Sequence, residues 1–193
     1  MEKIKTALEI ALERAAAVKV DPEKLLEIEN VSQGKVLGAR FLSDQGLNLK
    51  EELLKIRPEA RPYVLKGLEE TFLNNLRLPR DGDTMNTNRR CMDGLLQIKK
   101  NRSLLKQVFK EIEMLFQYYA RSLEQAYLNL KEEFAVKVAQ GVRAMNLSMG
   151  GRTGINVEHM PEFQEEWFRV RDQLASQYDR VLEEKREQIR KID

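Results

Sequence analysis

The chain of 193 residues contains one cysteine, one histidine, one tryptophan, five prolines and ten glycines. A lone Cys91 cannot build an intrachain disulfide framework, and it fits a reducing compartment. Cys91 and His159 are the whole stock of soft metal ligands, short of the roughly four Cys and His ligands of a structural zinc site. A single histidine, with Asn156 three residues before it, also excludes the paired Glu-x-x-His signature of di-iron bundles. No apolar run approaches the roughly 20 residues that cross a bilayer. Glu2, Glu9 and Glu13 interrupt the first segment, so it has no signal-peptide core. The net charge of +2 gives no global pull toward nucleic acid or membrane, and any electrostatic case has to be local. These absences predict a cytoplasmic protein with no cofactor, no metal, no membrane partner and no enzymatic activity.

What is present is helical. Charged residues make up 33% and hydrophobic residues 42%, a balance that suits a well-solvated all-α protein. Ile4, Leu8, Ala11, Ala15 and Val18 form one apolar stripe. Asp21-Pro22 then closes that helix and opens the next, with Asp as N-cap and Pro at the first helical position. The second helix carries Leu25, Ile28, Val36, Leu37 and Phe41. Gly34 and Gly38 lie on one face of it, which either admits a close neighbour or breaks the helix; a break near Gly34 is expected. Asn48 and Glu51 form a capping-box-like start for a short helix, Leu49 to Ile56. Pro58 and Pro62 precede a helix whose apolar face is Val64, Leu65, Leu68, Phe72 and Leu76. The segment PRDGDTMNTN, Pro79 to Asn88, reads as a polar loop.

The strongest pattern follows. Leu95, Ile98, Arg102, Leu105, Phe109, Ile112, Phe116, Tyr119, Leu123, Ala126 and Leu130 recur at alternating spacings of 3 and 4, with Arg102 the only polar member. Such a 3.5-residue repeat marks a coiled-coil-like seam. It loosens to two steps of 4 through Phe134 and Val138, and the last helix, from Pro161, has a similar passage between Val170 and Leu182. An antiparallel fold about Thr153 places Phe134 opposite residue 172, so that the two irregular passages meet. The expected fold is therefore all-α: an N-terminal helical region, residues 1–78, packed on a long helical hairpin, residues 88–193, as one cooperative domain. In this register residue 192 pairs near residue 114. The seam from Leu95 to Ile112 then needs other cover, from the N-terminal helices or from a homo-oligomeric or helical protein partner.

IKTALEIALERAAAV, Ile4 to Val18, resembles the opening helix of a group of uncharacterised small bacterial all-helical proteins. The resemblance implies no activity.

The candidate sites are few. SMGGRTG, Ser148 to Gly154, lacks the lysine and the preceding strand of a phosphate loop, and reads as a turn with Arg152 beside a weak anion nest. His159 reads as a loop residue near the start of the last helix. The Asp81–Asn88 segment misplaces the glycine and the final Glu of a calcium loop. Cys91 follows Arg89 and Arg90, which would favour a thiolate, but a semi-buried inert thiol is the simpler reading. The rings of Tyr118, Tyr119, Tyr127 and Trp167 sit at helix-core spacing and read as packing. From Asn88 to Lys110 there are seven basic residues and one acid. Of these, Arg89, Arg90, Lys99, Arg102, Lys106 and Lys110 form a candidate binding surface, to which Arg152 and His159 are added at the hairpin tip. The expected role is a non-enzymatic helical interaction or scaffold protein, its basic stripe paired with an acidic helix of this chain or of a partner. The alternative is an RNA- or ribosome-associated protein using residues 89–110.

Overall fold

The computed structural model describes residues 22–144 and 156–193. The Ile4–Val18 stripe, the Asp21 cap and the Ser148–Gly154 turn with Arg152 lie outside the described residues. Within them the chain is all-α: α1 (Pro22–Ser43), α2 (Leu49–Leu54), α3 (Arg61–Asn75), α4 (Gly82–Ile98), α5 (Arg102–Ala144), a 3-10 turn (Val157–His159) and α6 (Pro161–Arg190). The chain divides into two compact units, residues 1–72 and 73–193, with the boundary inside the last turn of α3.

In the first unit the expected break at Gly34 does not occur; α1 runs unbroken through it. The glycines serve the other purpose, close approach. A Cβ on Gly34 would lie 2.2 Å from the Val64 carbonyl oxygen, and one on Gly67 would lie 2.1 Å from that of Val31. Thr71 sits against Gly38 in the same way, 2.9 Å from where a Cβ would be. The backbones of α1 and α3 therefore touch, which only glycine permits. Each interior glycine costs about 1 kcal/mol of helix propensity, offset here by dispersion contacts at short range. Phe41 and Phe72 close one end of the crossing edge to face, with centroids 5.5 Å apart. Lys66–Glu27 and Lys35–Glu70, at 2.7 and 2.9 Å, flank it on the surface. The α2 start is as expected: the Asn48 side chain accepts from the Lys50 and Glu51 amides and donates to the Glu51 carboxylate.

In the second unit the expected polar loop at Pro79–Asn88 is mostly helix. Asp81 caps α4, accepting from the Thr84 amide at 2.7 Å and from its hydroxyl at 2.6 Å. Asp, Thr and Asn suit caps and turns equally, and their composition alone does not separate the two. Asn88 is the one buried polar residue among those described, 1% exposed. Its amide bridges the main-chain N–H and C=O of Arg77, at 2.9 and 2.7 Å, and ties the connection after α3 to α4.

The 3.5-residue repeat also runs across a break. The helix expected to be continuous from residue 88 to 145 stops at Ile98 and restarts at Arg102. The connecting amides of Lys100 and Asn101 donate to the Asp193 main-chain oxygen at 3.1 and 2.7 Å. Lys99 Nζ donates to the Ile192 carbonyl at 2.6 Å, and Asn101 caps the Leu104 amide. Arg102, the one polar member of the stripe, is the first residue of α5 and exposed. An orphaned helix end is tolerable here because Asp193, just past the end of α6, supplies the acceptor.

α5 and α6 pack antiparallel, but not in the expected register. Phe134 meets Phe163, at 5.4 Å between centroids, and not residue 172. Tyr119 meets Tyr178 at 5.2 Å, Glu111 pairs with Lys185 at 2.6 Å, and Ile192 reaches Lys99 and not residue 114. The reason is the segment before α6. The 3-10 turn folds back on α5, with Val157 buried against Leu130 and Phe163, and Glu158 bonded to Lys131 at 2.6 Å. α6 therefore starts beside Phe134, and the two irregular passages do not face each other. Leu95, Leu105 and Ile112 are fully buried within one chain, so no bare seam calls for a second copy.

Candidate interaction face on the long helix

The basic residues separate into two groups. Lys99 lies in the α4–α5 connection, held by the Ile192 carbonyl, and Arg90 is half-buried and engaged within the chain. These two belong to the fold. Arg89 on α4 and Arg102, Lys106 and Lys110 on α5 are exposed, and their side chains have no ion pair among the described residues. The expected pairing with acidic residues of α6 is thus not made by these four side chains among the described residues. Those acids are matched locally: Glu183 pairs with Arg186 and Arg190, and Glu187 with Arg190. Arg186, which also donates to the Leu76 carbonyl at 2.5 Å, holds the Glu183 carboxyl below the usual carboxylate range through its hydrogen bond.

Arg102, Lys106 and Lys110 continue along α5 into Glu113, Gln117 and Ala120, at spacings of 4, 4, 3, 4 and 3. Such spacing keeps all six on one helix face, over about 27 Å of axis. The second half of this face borders a groove of about 380 Å³ between α4 and α5. Pro79, Met85, Met92, Phe116 and Ala120 make its apolar lining, with Arg89, Glu113 and Gln117 at the edge. Sequence reasoning missed the groove because Met85 was assigned to a loop. Once α4 begins at Gly82, Met85 and Met92 fall two turns apart on one face.

Other candidates resolve into structure. Cys91 is fully buried, and burial pushes its thiol up to about 12 despite the nearby charge of Arg77, so it is no nucleophile near neutral pH. His159 ends the 3-10 turn and is exposed. Its neighbour Glu158 is held below the usual carboxylate range by hydrogen bonds from Lys131 and Tyr127. Tyr119 is packed on Tyr178, and Tyr127 on Phe163 and Trp167, as core spacing predicts. A second recess, about 250 Å³, gathers Arg80, Arg171 and Tyr119. Asp172 binds Arg171 there at 2.9 Å, and Asp179 acts on Tyr119 more strongly than either arginine does. Its lining carries Arg80 and Arg171 against the single carboxylate of Asp172. No group of three or more His, Cys, Asp or Glu side chains suited to a metal occurs among the described residues. None of the described helices is long and apolar enough to cross a membrane.

Fold and face together define an all-helical protein built on a long antiparallel hairpin, with an exposed basic stripe running into an apolar groove. Residues 50–191 match a family of unknown function, DUF6657, and the chain belongs to that family. The matched range takes in α3, α4, α5 and α6, the groove and the basic stripe, and leaves out residues 1–49. No curated protein and no solved structure matches the chain.

Proposed function

We propose that this chain is a non-enzymatic helical interaction protein that engages a protein partner through the α4–α5 face. The observation that carries this reading is the joining of two features on that face. Four cations with no ion pair among the described residues lie along it, and an apolar groove opens at its end. Charges that only bind water are common on helices, and so are small grooves. Their continuity along one face is what distinguishes a binding surface. Further apolar residues, Met114 and Tyr118, stand exposed one turn apart on another side of α5, and give a second copy of the chain somewhere to pack.

The test is photo-crosslinking in the source cell, with a photoreactive residue at Gln117 and a control at the exposed Val181 of α6. Protein adducts at Gln117 and not at Val181 are expected. RNA adducts at Gln117 would establish the RNA-associated alternative instead, and the absence of adducts at Gln117 would overturn the proposal.

A further inference from the structure

Resting on that reading, we infer that the partner element is an amphipathic α-helix with an acidic flank, laid along the α4–α5 face with an apolar anchor in the groove. Three observations fix its chemistry. The first is the position of the groove. It lies between α4 and α5, and the face of α5 that leads into it extends over about 27 Å, or five helical turns. An extended strand would need a sheet edge to pair with, and the described residues contain no strand. A helix satisfies its own backbone and needs only side-chain contacts.

The second is the lining. Met85 and Met92 flank Phe116. Methionine is unbranched and polarizable, and it adapts to a leucine or a phenylalanine inserted from above. A volume of about 380 Å³ accommodates one or two such side chains and no more. The anchor is thus a pair of apolar residues at i and i+3 or i+4 on the incoming helix.

The third is charge. Arg102, Lys106 and Lys110 along the approach share their stripe of α5 with one acid, Glu113, and Arg89 at the groove edge has the exposed Asp93 one turn further on in α4. A partner carrying Glu or Asp at helical spacing on its flank meets three cations spaced four residues apart on α5. Glu113 sits between Lys110 and the groove, so a basic residue of the partner next to its anchor is tolerated, and a fully acidic helix is disfavoured there. That asymmetry also sets direction: the acidic end of the partner lies toward the α4–α5 connection, and its anchor toward Ala120. An RNA strand would use the cations but leave the apolar groove empty. The groove offers no aromatic face for base stacking, since Phe116 is buried at 3% exposure.

The probe is a fluorescent 20-residue designed helix with leucines at i and i+4 in its second half and glutamates flanking its first half. Its controls are the same peptide with lysines for glutamates, the same peptide with serines for leucines, and a single-stranded RNA 20-mer, all titrated into the full chain. Saturable binding of the Glu peptide that weakens steeply with salt is expected, with at least tenfold weaker binding of both peptide controls. The triple variant Arg102→Glu/Lys106→Glu/Lys110→Glu should reverse the preference and take the Lys peptide. These positions are exposed, so the variant is expected to keep its fold, checked by circular dichroism. Met92→Ala should weaken both charge variants of the peptide alike, and Met85→Ala does the same where Met92→Ala perturbs α4. Equal binding of the Glu and Lys peptides, no binding of the Glu peptide, or tighter binding of the RNA would overturn the inference. Protein crosslinks at Gln117 alongside peptide failure would leave the interaction reading standing and reject only the acidic-helix partner.

Discussion

The two units solve helix packing in opposite ways. In the first, α1 and α3 touch through Gly34, Gly38 and Gly67, where the absence of side chains lets backbones meet. In the second, α5 and α6 are held apart and filled by rings, with Tyr127, Phe134 and Trp167 gathered on and around Phe163. The first crossing therefore tolerates no addition, and the second tolerates no removal. Amphipathic helices with similar apolar periodicity conceal both arrangements. The residue at the contact, and not the period, decides which applies.

The largest effect should come from removing a ring. Phe163→Ala takes away the ring shared by Tyr127 and Phe134, and should cost about 3–5 kcal/mol in urea unfolding of the full chain. Next comes the addition of a side chain where none fits. Gly67→Ala would set a methyl 2.1 Å from the Val31 carbonyl. It should destabilise by roughly 1–3 kcal/mol, although alanine is the better helix former. The opposite sign is expected at Gly141, in α5, where a Cβ would meet nothing within 4 Å. There Gly141→Ala should raise stability by up to about 1 kcal/mol. If both glycine substitutions move stability in the same direction, the close-approach account of the first unit fails.

The smallest effect concerns the exposed Lys131–Glu158 pair that pins the 3-10 turn. The Glu158 carboxyl is held below its ordinary 4.5 by hydrogen bonds from Lys131 and Tyr127. A carboxyl depressed in the folded state stabilises above its unfolded value, and loses that contribution as pH falls through its folded value. Thermal melts of the native chain and Glu158→Gln should differ above pH 4.5 and converge below it. A constant difference across that range would mean that the pair does not hold the turn.

Much of the fold was legible because periodicity reports which face of a helix is buried. The stripes Val64–Leu68–Phe72–Leu76 and Leu105–Phe109–Ile112–Phe116–Tyr119 are buried as their spacing predicts. What spacing could not show was where a helix ends. Leu95, Ile98 and Arg102 keep the repeat across a break, because two consecutive helices can each continue the same face. Register was hidden for a similar reason. Counting back from Thr153 assumes a symmetric turn, and the fold-back of Val157 and Glu158 onto α5 makes it asymmetric. Of the candidate surface, Arg89, Arg102, Lys106 and Lys110 are exposed with no ion pair among the described residues, against the expected pairing with an acidic helix, whereas Lys99 and Arg90 are engaged by the fold itself.

The sequence by itself determined the all-α class, the buried faces of α3 and α5, the cap at Asn48, the start of the last helix at Pro161, and the exclusion of a disulfide framework, but not the exposure of Leu25, Ile28, Val36 and Tyr118. These follow from local backbone preference, residue chemistry and 3.6-residue geometry, which need no knowledge of distant neighbours. Only the tertiary structure decided that Gly34 marks a contact and not a break. It also decided that the chain breaks at Lys99–Asn101, that α6 starts beside Phe134, and that Met85, Met92 and Phe116 form a groove beside the basic stripe. Each of those depends on groups far apart in the chain supplying a surface, an acceptor or a wall to one another, and no local pattern of residues records such a meeting.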